Sequence, residues 1–191
     1  MGRIKKFKNL YCIIGASGSG KSTVADLMED RYLRKVLRSY TTRPPRKADD
    51  IDHTYISEEE YAALEEKVAT TTIGGYHYCA TREQVDESEF YVVDWKGFDE
   101  LLSSYKGVKK GLCVIYLEVD EETRKERMLW RGDSDEKIRE RLDIGRELFS
   151  EQQYSLHEPY VIKRIKASGA SAESIAGIVK IVAEKKERKT K

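Results

Sequence analysis

Apolar positions along this chain gather into short β-rich runs separated by longer stretches of helical spacing. The runs at residues 10–14, 90–93, 112–119 and 160–165 are apolar and β-rich, interrupted only at Glu118, Lys163 and Arg164, as expected of strands in a covered sheet. Between and after them apolar residues recur every three or four positions. In residues 23–35, Val24, Leu27, Met28 and Tyr32 share one helical face. A last helix is predicted from near Ser171, with Ser171 or Ser174 as cap and Ile175, Ile178, Val179 and Val182 turned inward. This alternation predicts an α/β fold, a parallel sheet sandwiched by helices.

Two stretches break the rhythm. Residues 38–89 are polar, rich in Tyr and Thr, and interrupted by Pro44, Pro45, Gly74 and Gly75, which suits an inserted substrate-binding module. Residues 121–150 are charged and helical, broken at Gly132-Asp133-Ser134. Asp133 is the expected cap of the second helix, with Glu136 completing a capping box. The expected organisation is a single domain over residues 1–191. Its core is 1–37, 90–122 and 142–191, its acceptor-binding insertion 38–89, and its helical lid 123–141.

Between the first strand and first helix lies Gly15-Ala16-Ser17-Gly18-Ser19-Gly20-Lys21-Ser22, the pattern G-x-x-x-x-G-K-S, followed by Thr23. Strand, glycine turn and helix start are the context a phosphate-binding loop requires. The glycines allow backbone N–H groups to curl around an anion, and the helix N-terminus adds partial positive charge. Lys21 is expected on the β- and γ-phosphates of ATP, and the Ser22 hydroxyl on Mg²⁺.

A second constellation, Arg38-Ser39-Tyr40-Thr41-Thr42-Arg43-Pro44-Pro45-Arg46, sets two guanidinium groups about a stiff proline pair. Such forks suit a phosphate dianion. A third set, Arg127, Arg131, Arg139 and Arg141, lies in the charged hairpin and is positioned to close over a transferring phosphoryl group. Two anion sites and a cationic lid together suggest a triphosphate donor and an acceptor that is itself a phosphate.

Composition narrows partners. Lys+Arg (35) and Asp+Glu (34) nearly cancel, leaving +1 on 191 residues, which argues against a general nucleic-acid binder. No apolar run reaches membrane-spanning length, and the reading is of a cytoplasmic protein whose partners are small nucleotides, with no nucleic acid and no membrane; oligomeric state is left open. Cys12, Cys79 and Cys113 have no zinc spacing, and Cys12 and Cys113 lie in apolar runs as small core residues.

From about residue 9 to 165 the chain resembles the guanylate kinases. GASGSGKST and SYTTRPPR are similar to that family's phosphate loop and its S-x-T-T-R-x-P-R motif. The resemblance implies ATP-dependent, Mg²⁺-assisted transfer to GMP. It assigns the acceptor phosphate to Ser39, Arg43 and Arg46, with Tyr78 from GGYHYCAT. It places Asp94 from VVDWKG near acceptor and metal, and Arg127, Arg131 and Arg141 in the lid. The family's further acceptor tyrosine falls at His53, with Tyr55 two residues on. Its guanine-reading glutamate and hydroxyl fall, without gaps, at Ala69 and Ala80; Glu65, Glu66, Thr70, Thr71, Thr72 and Thr81 are the nearby substitutes. An asparagine near the ATP base reads as Arg164.

Other readings stay open from residues alone. A hydroxyl acceptor would need a base, for which Asp94 is the candidate. Another nucleoside monophosphate or a phosphosugar could be the acceptor, or the chain could be a non-catalytic guanylate-kinase-like module, although Lys21 and Ser22 are intact. Asp94-Trp95-Lys96-Gly97 fits the D-x-x-G of a nucleotide switch, but no N-K-x-D guanine reader accompanies it.

Overall fold

The computed structural model describes residues 7–45, 50–105 and 110–189. Five strands form a parallel sheet: β1 (Asn9–Ile14), β2 (Val36–Leu37), β7 (Phe90–Val92), β8 (Gly111–Glu118) and β9 (Val161–Lys166), in the order β2-β7-β1-β8-β9. Every pairing in it is parallel. The four apolar runs of the sequence are β1, β7, β8 and β9.

Both faces of this sheet are covered, which is why its inner strands read as nearly unbroken apolar runs, while the edge strand β9 carries Lys163, Arg164 and Lys166. Along β1, Tyr11 and Ile13 face α1 (Lys21–Asp30) and α8 (Ala172–Lys189), meeting Val24, Met28, Ile175 and Val179. Leu10, Cys12 and Ile14 point the other way, toward Trp95, Phe98 and Leu101 of α4 (Trp95–Ser104). All three cysteines are buried and free.

The first helix is shorter than its periodicity suggests. Leu33 adopts a left-handed conformation (φ 52°), and the Arg34 N–H returns to the Met28 carbonyl at 2.9 Å, closing the helix after Asp30. In the last helix Ile175 and Val179 are buried as expected, while Ile178 is 39% exposed; Ala176 and Ala183 take the inner positions instead.

The inserted segment forms a second sheet of order β4-β3-β6-β5, from β3 (Tyr40–Thr41), β4 (Thr54–Tyr55), β5 (Lys67–Ile73) and β6 (Tyr76–Thr81). Helices α2 (Glu58–Ala63) and α3 (Arg82–Glu87) flank it, each opened by a full capping box, on Ser57 and Thr81. The charged segment is α5 (Glu121–Trp130) and α6 (Asp135–Leu148), followed by α7 (Glu151–His157). The cap of α6 is Ser134 rather than Asp133. Asp133 is drawn away because its carboxylate binds Arg131 and Arg141, the latter at 3.0 Å. Among the described residues, no helix is long and apolar enough to cross a membrane.

Candidate active site at the phosphate loop

The phosphate loop follows β1, the central strand, and ends at α1. Gly20 (φ 90°) turns the chain into the helix and leaves it without a side-chain cap. By contrast α2 to α7 are each capped by a hydroxyl or carboxylate. The first amides of α1 are therefore left to another acceptor. Two glycines are required sterically. A Cβ on Gly15 would lie 2.7 Å from the Leu117 carbonyl and 2.7 Å from Ser19 Oγ. On Gly18 (φ 81°) it would lie 2.7 Å from the Arg124 carbonyl.

Lys21 Nζ donates to the carbonyls of Gly15 (2.6 Å) and Ala16 (3.1 Å). Burial pushes its pKa down to about 8; Asp94 and Asp52 oppose that shift, while Arg131 and Arg124 reinforce it. Ser19 Oγ, 1% exposed as a residue, has no hydrogen-bond partner. A glycine-tight turn, an uncapped helix start, a desolvated ammonium and an orphaned hydroxyl together fit a phosphate chain.

Asp94 caps α4, accepting from the Gly97 N–H at 2.8 Å. With Ser22 it offers the hard oxygen donors that suit Mg²⁺, an ion commonly held by one or two carboxylates plus substrate phosphates. Asp52, which sequence reasoning did not single out, belongs to the same field around Lys21. Among the described residues, no group of three or more His, Cys, Asp or Glu side chains could hold a metal.

Arg127 bends over the loop, its Nη1 3.4 Å from the Gly18 carbonyl and 3.3 Å from that of Ser19, and its Nη2 3.4 Å from that of Ala167. Arg131 and Arg141 share Asp133, and Arg139 is exposed on α6. Arg164 is held by Glu118 (2.8 and 2.9 Å) and Glu151, and stacks over Tyr154 at 4.4 Å.

The second sheet carries the other cluster. Ser39 Oγ and His53 Nδ1 are 2.9 Å apart, and the His53 ring meets Tyr78 (5.4 Å) and Tyr55 (6.3 Å) edge-on. Arg43 donates to the Tyr55 hydroxyl at 3.3 Å and lies over its ring. It also donates to the Pro44 carbonyl at 2.9 Å and pairs with Asp50 at 3.5 Å, a carboxylate only 5% exposed. Burial and the Asp50 bond push the Tyr55 phenol up to about 12. Asp50 is a second acidic residue that sequence reasoning passed over; its only signal was the acidic run DDID at residues 49–52. Tyr91, buried beside Ser39, adds a further hydroxyl whose pKa burial raises. Arg46 lies outside the described residues.

Ala69 and Ala80, where the resemblance without gaps sets the guanine-reading residues, are core residues. Ala69 (φ 53°) sits at an irregularity in the β5–β6 ladder between Val68 and Thr71, is 2% exposed and packs beneath α4. Ala80 is fully buried in the same cluster. Position 69 is thus buried and does not face an open cleft. Of the substitutes, Glu66 pairs with Arg82 at 3.2 Å and Thr72 lies 3.3 Å from His77. Thr71 is nearly buried, its methyl near Gly97 of α4.

A family model described as AAA domain matches residues 12–152, from inside β1 through the hairpin and into α7. The chain belongs to the AAA domain family. That match spans the phosphate loop, both sheets' connections and the arginine-bearing helices of this AAA domain. The chain is also similar to the guanylate kinase of Helicobacter pylori, 28% identical over 148 residues, covering 70% of each chain. It is similar to the guanylate kinase of Thermus thermophilus, 24% identical over 191 residues, covering 94% of this chain and 82% of that one. The solved guanylate kinase of Anaplasma phagocytophilum superposes with a TM-score of 0.60 at 20% identity, covering 96% of this chain and 88% of that one, which shows the shared fold.

Proposed function

We propose that this chain is an ATP-dependent nucleoside monophosphate kinase that uses Mg²⁺. The observation that carries the reading is the pairing of two sites of unlike build. One is the phosphate loop, with Lys21 buried and its ammonium electrically stressed. The other is Arg43, framed by Ser39, His53, Tyr55 and Tyr78 on the adjoining sheet. The first suits a polyphosphate and the second a single phosphate group beside aromatic rings. The named relatives supply the reaction class.

In this reading Gly15, Ala16, Ser17, Gly18, Ser19, Gly20, Lys21, Ser22 and Thr23 hold the donor. Ser22 and Asp94 hold Mg²⁺, which when bound neutralises phosphate charge. The acceptor phosphate, with a second pKa of about 6, is already ionised at neutral pH, so its oxygen attacks the γ-phosphorus without a base while the bond from that phosphorus to the bridging oxygen breaks and ADP leaves with the electron pair. The work left to the protein is to overcome repulsion between two polyanions. Arg43 and Arg46 do so at the acceptor, and Arg127, Arg131 and Arg141 at the transferring group. Residues 123–141 act as the lid and 38–89 as the acceptor module of one domain.

GMP is the acceptor that the relatives' names point to. A different nucleoside monophosphate is favoured by one observation, the burial of Ala69 and Ala80 where the resembling family reads guanine. A panel of ribo- and deoxynucleoside monophosphates with ATP and Mg²⁺, followed by ADP release, decides between them. Turnover with GMP alone supports the first, turnover with another base the second, and turnover with none of them rejects the kinase reading.

A further inference from the structure

Arg124, Arg127 and Arg131 recur at i, i+3 and i+7, so they share the side of α5 that packs on the phosphate loop. The last two were singled out from the sequence and Arg124 was not. It is buried, with 6% of its surface exposed. Its backbone forms the wall against Gly18, at 2.7 Å from the position a Cβ would take there. Its guanidinium passes between the loop and the base of the hairpin. A Cβ on Gly145 of α6 would lie 2.8 Å from Arg124 Nη1 and 3.7 Å from the methyl of Ala16.

This guanidinium is poorly compensated. Nε and Nη1 have no hydrogen-bond partner. The nearest carboxylate, on Glu121, stands 3.8 Å from Nη2. Glu121 is itself taken by Arg146, at 2.5 and 2.9 Å. Arginine does not shed its proton under ordinary conditions, so the charge stays and must be balanced from outside the side chains now around it. Arg124 also contributes to the positive potential at Lys21.

We propose that Arg124 is a positioning residue for the donor's phosphate chain, holding the loop at Ala16 and Gly18 against the lid base at Gly145 with a charge that the bound polyphosphate completes. This rests on the donor-site reading above. The site takes a polyphosphate, whether carried by a nucleotide or free. Replacing the charge by an apolar chain of similar length relieves the nucleotide-free protein and harms the liganded one, whereas for a structural arginine both would suffer.

The test uses the full chain as wild type, Arg124→Met and Arg124→Lys. It measures thermal unfolding without nucleotide and titrations with Mg·ATP and with magnesium tripolyphosphate. Arg124→Met is expected to raise the unfolding midpoint by about 2–4 °C. It should also weaken both ligands by about tenfold or more. Arg124→Lys should retain most of the affinity for both, and in turnover Arg124→Met should raise the KM for ATP while leaving that for the acceptor unchanged. A lowered midpoint with unchanged affinity assigns Arg124 to the scaffold and overturns the proposal. Loss of ATP binding with tripolyphosphate unaffected assigns it to the base and overturns it equally. Wild-type protein that binds neither ligand rejects the donor-site reading together with this one.

Discussion

Lys21 has its ammonium turned onto two loop carbonyls, with a pKa that burial pushes down to about 8. A polyphosphate beside it would favour the charged form and lift that value back toward the ordinary 10.5. The bound state then holds more protons than the free state above pH 8. ATP affinity should accordingly be full below about pH 8 and fall as pH rises through that window. Calorimetry at pH 8.5 in buffers of different ionisation enthalpy should show proton uptake on binding, and Lys21→Met should abolish both the uptake and phosphoryl transfer. Gly18 poses a steric test. Its φ of 81° and the 2.7 Å approach of the Arg124 carbonyl leave no room for a methyl. Gly18→Ala should destabilise by about 1–3 kcal/mol, read by denaturant unfolding, and weaken ATP.

Elements explain why some residues serve twice. Asp94 ends the segment after β7 and caps α4, so its carboxylate is fixed by the fold before any ligand arrives. Asp94→Asn keeps an acceptor for the Gly97 N–H and should cost under about 0.5 kcal/mol, whereas Asp94→Ala should cost about 1 kcal/mol. Both should lose turnover at limiting Mg²⁺; equal turnover in Asp94→Asn and wild type would remove Asp94 from the metal site. The hairpin shows the reverse dependence. From sequence Asp133 was the expected cap, but Ser134 takes that place while Arg131 and Arg141 across the turn claim Asp133. The first helix likewise obeyed its apolar period through Met28, then stopped where Leu33 turned left-handed. Neither outcome is written in the local pattern, because each depends on partners distant along the chain or on a backbone turn with several sequence solutions.

At the scale of the molecule, the proposed donor site lies at the parallel sheet and the proposed acceptor site on the second sheet. Arg43→Ala should raise the acceptor KM by about tenfold or more while leaving the KM for ATP nearly unchanged, since Arg43 sits with Tyr55 and Asp50 on the second sheet. Equal loss for both substrates in steady-state kinetics would make Arg43 structural. The exchange Ala69→Glu with Ala80→Ser, which the ungapped resemblance suggests as a route to guanine recognition, should instead destabilise by about 3 kcal/mol or more. It places a carboxylate under α4 without a partner. A thermal shift would show this before any change in GMP use could be measured.

The apolar runs alone marked β1, β7, β8 and β9, because the inner strands covered on both faces leave a nearly unbroken apolar signal, while the edge strand β9 keeps Val161, Ile162 and Ile165 among its basic residues. The phosphate loop was equally legible, since glycine at fixed spacing is the direct imprint of steric demands such as those at Gly15 and Gly18. The tertiary structure alone decided the rest. The second sheet is built from short, polar, partly exposed strands whose side chains carry no consistent period. Burial and pairing of charged groups depend on what the fold brings alongside, so nothing in the sequence singles out Asp50, Asp52 or Arg124. Only folding put Asp50 against Arg43, set Asp52 in the field of Lys21, and left Arg124 without a full complement of partners beside the phosphate loop.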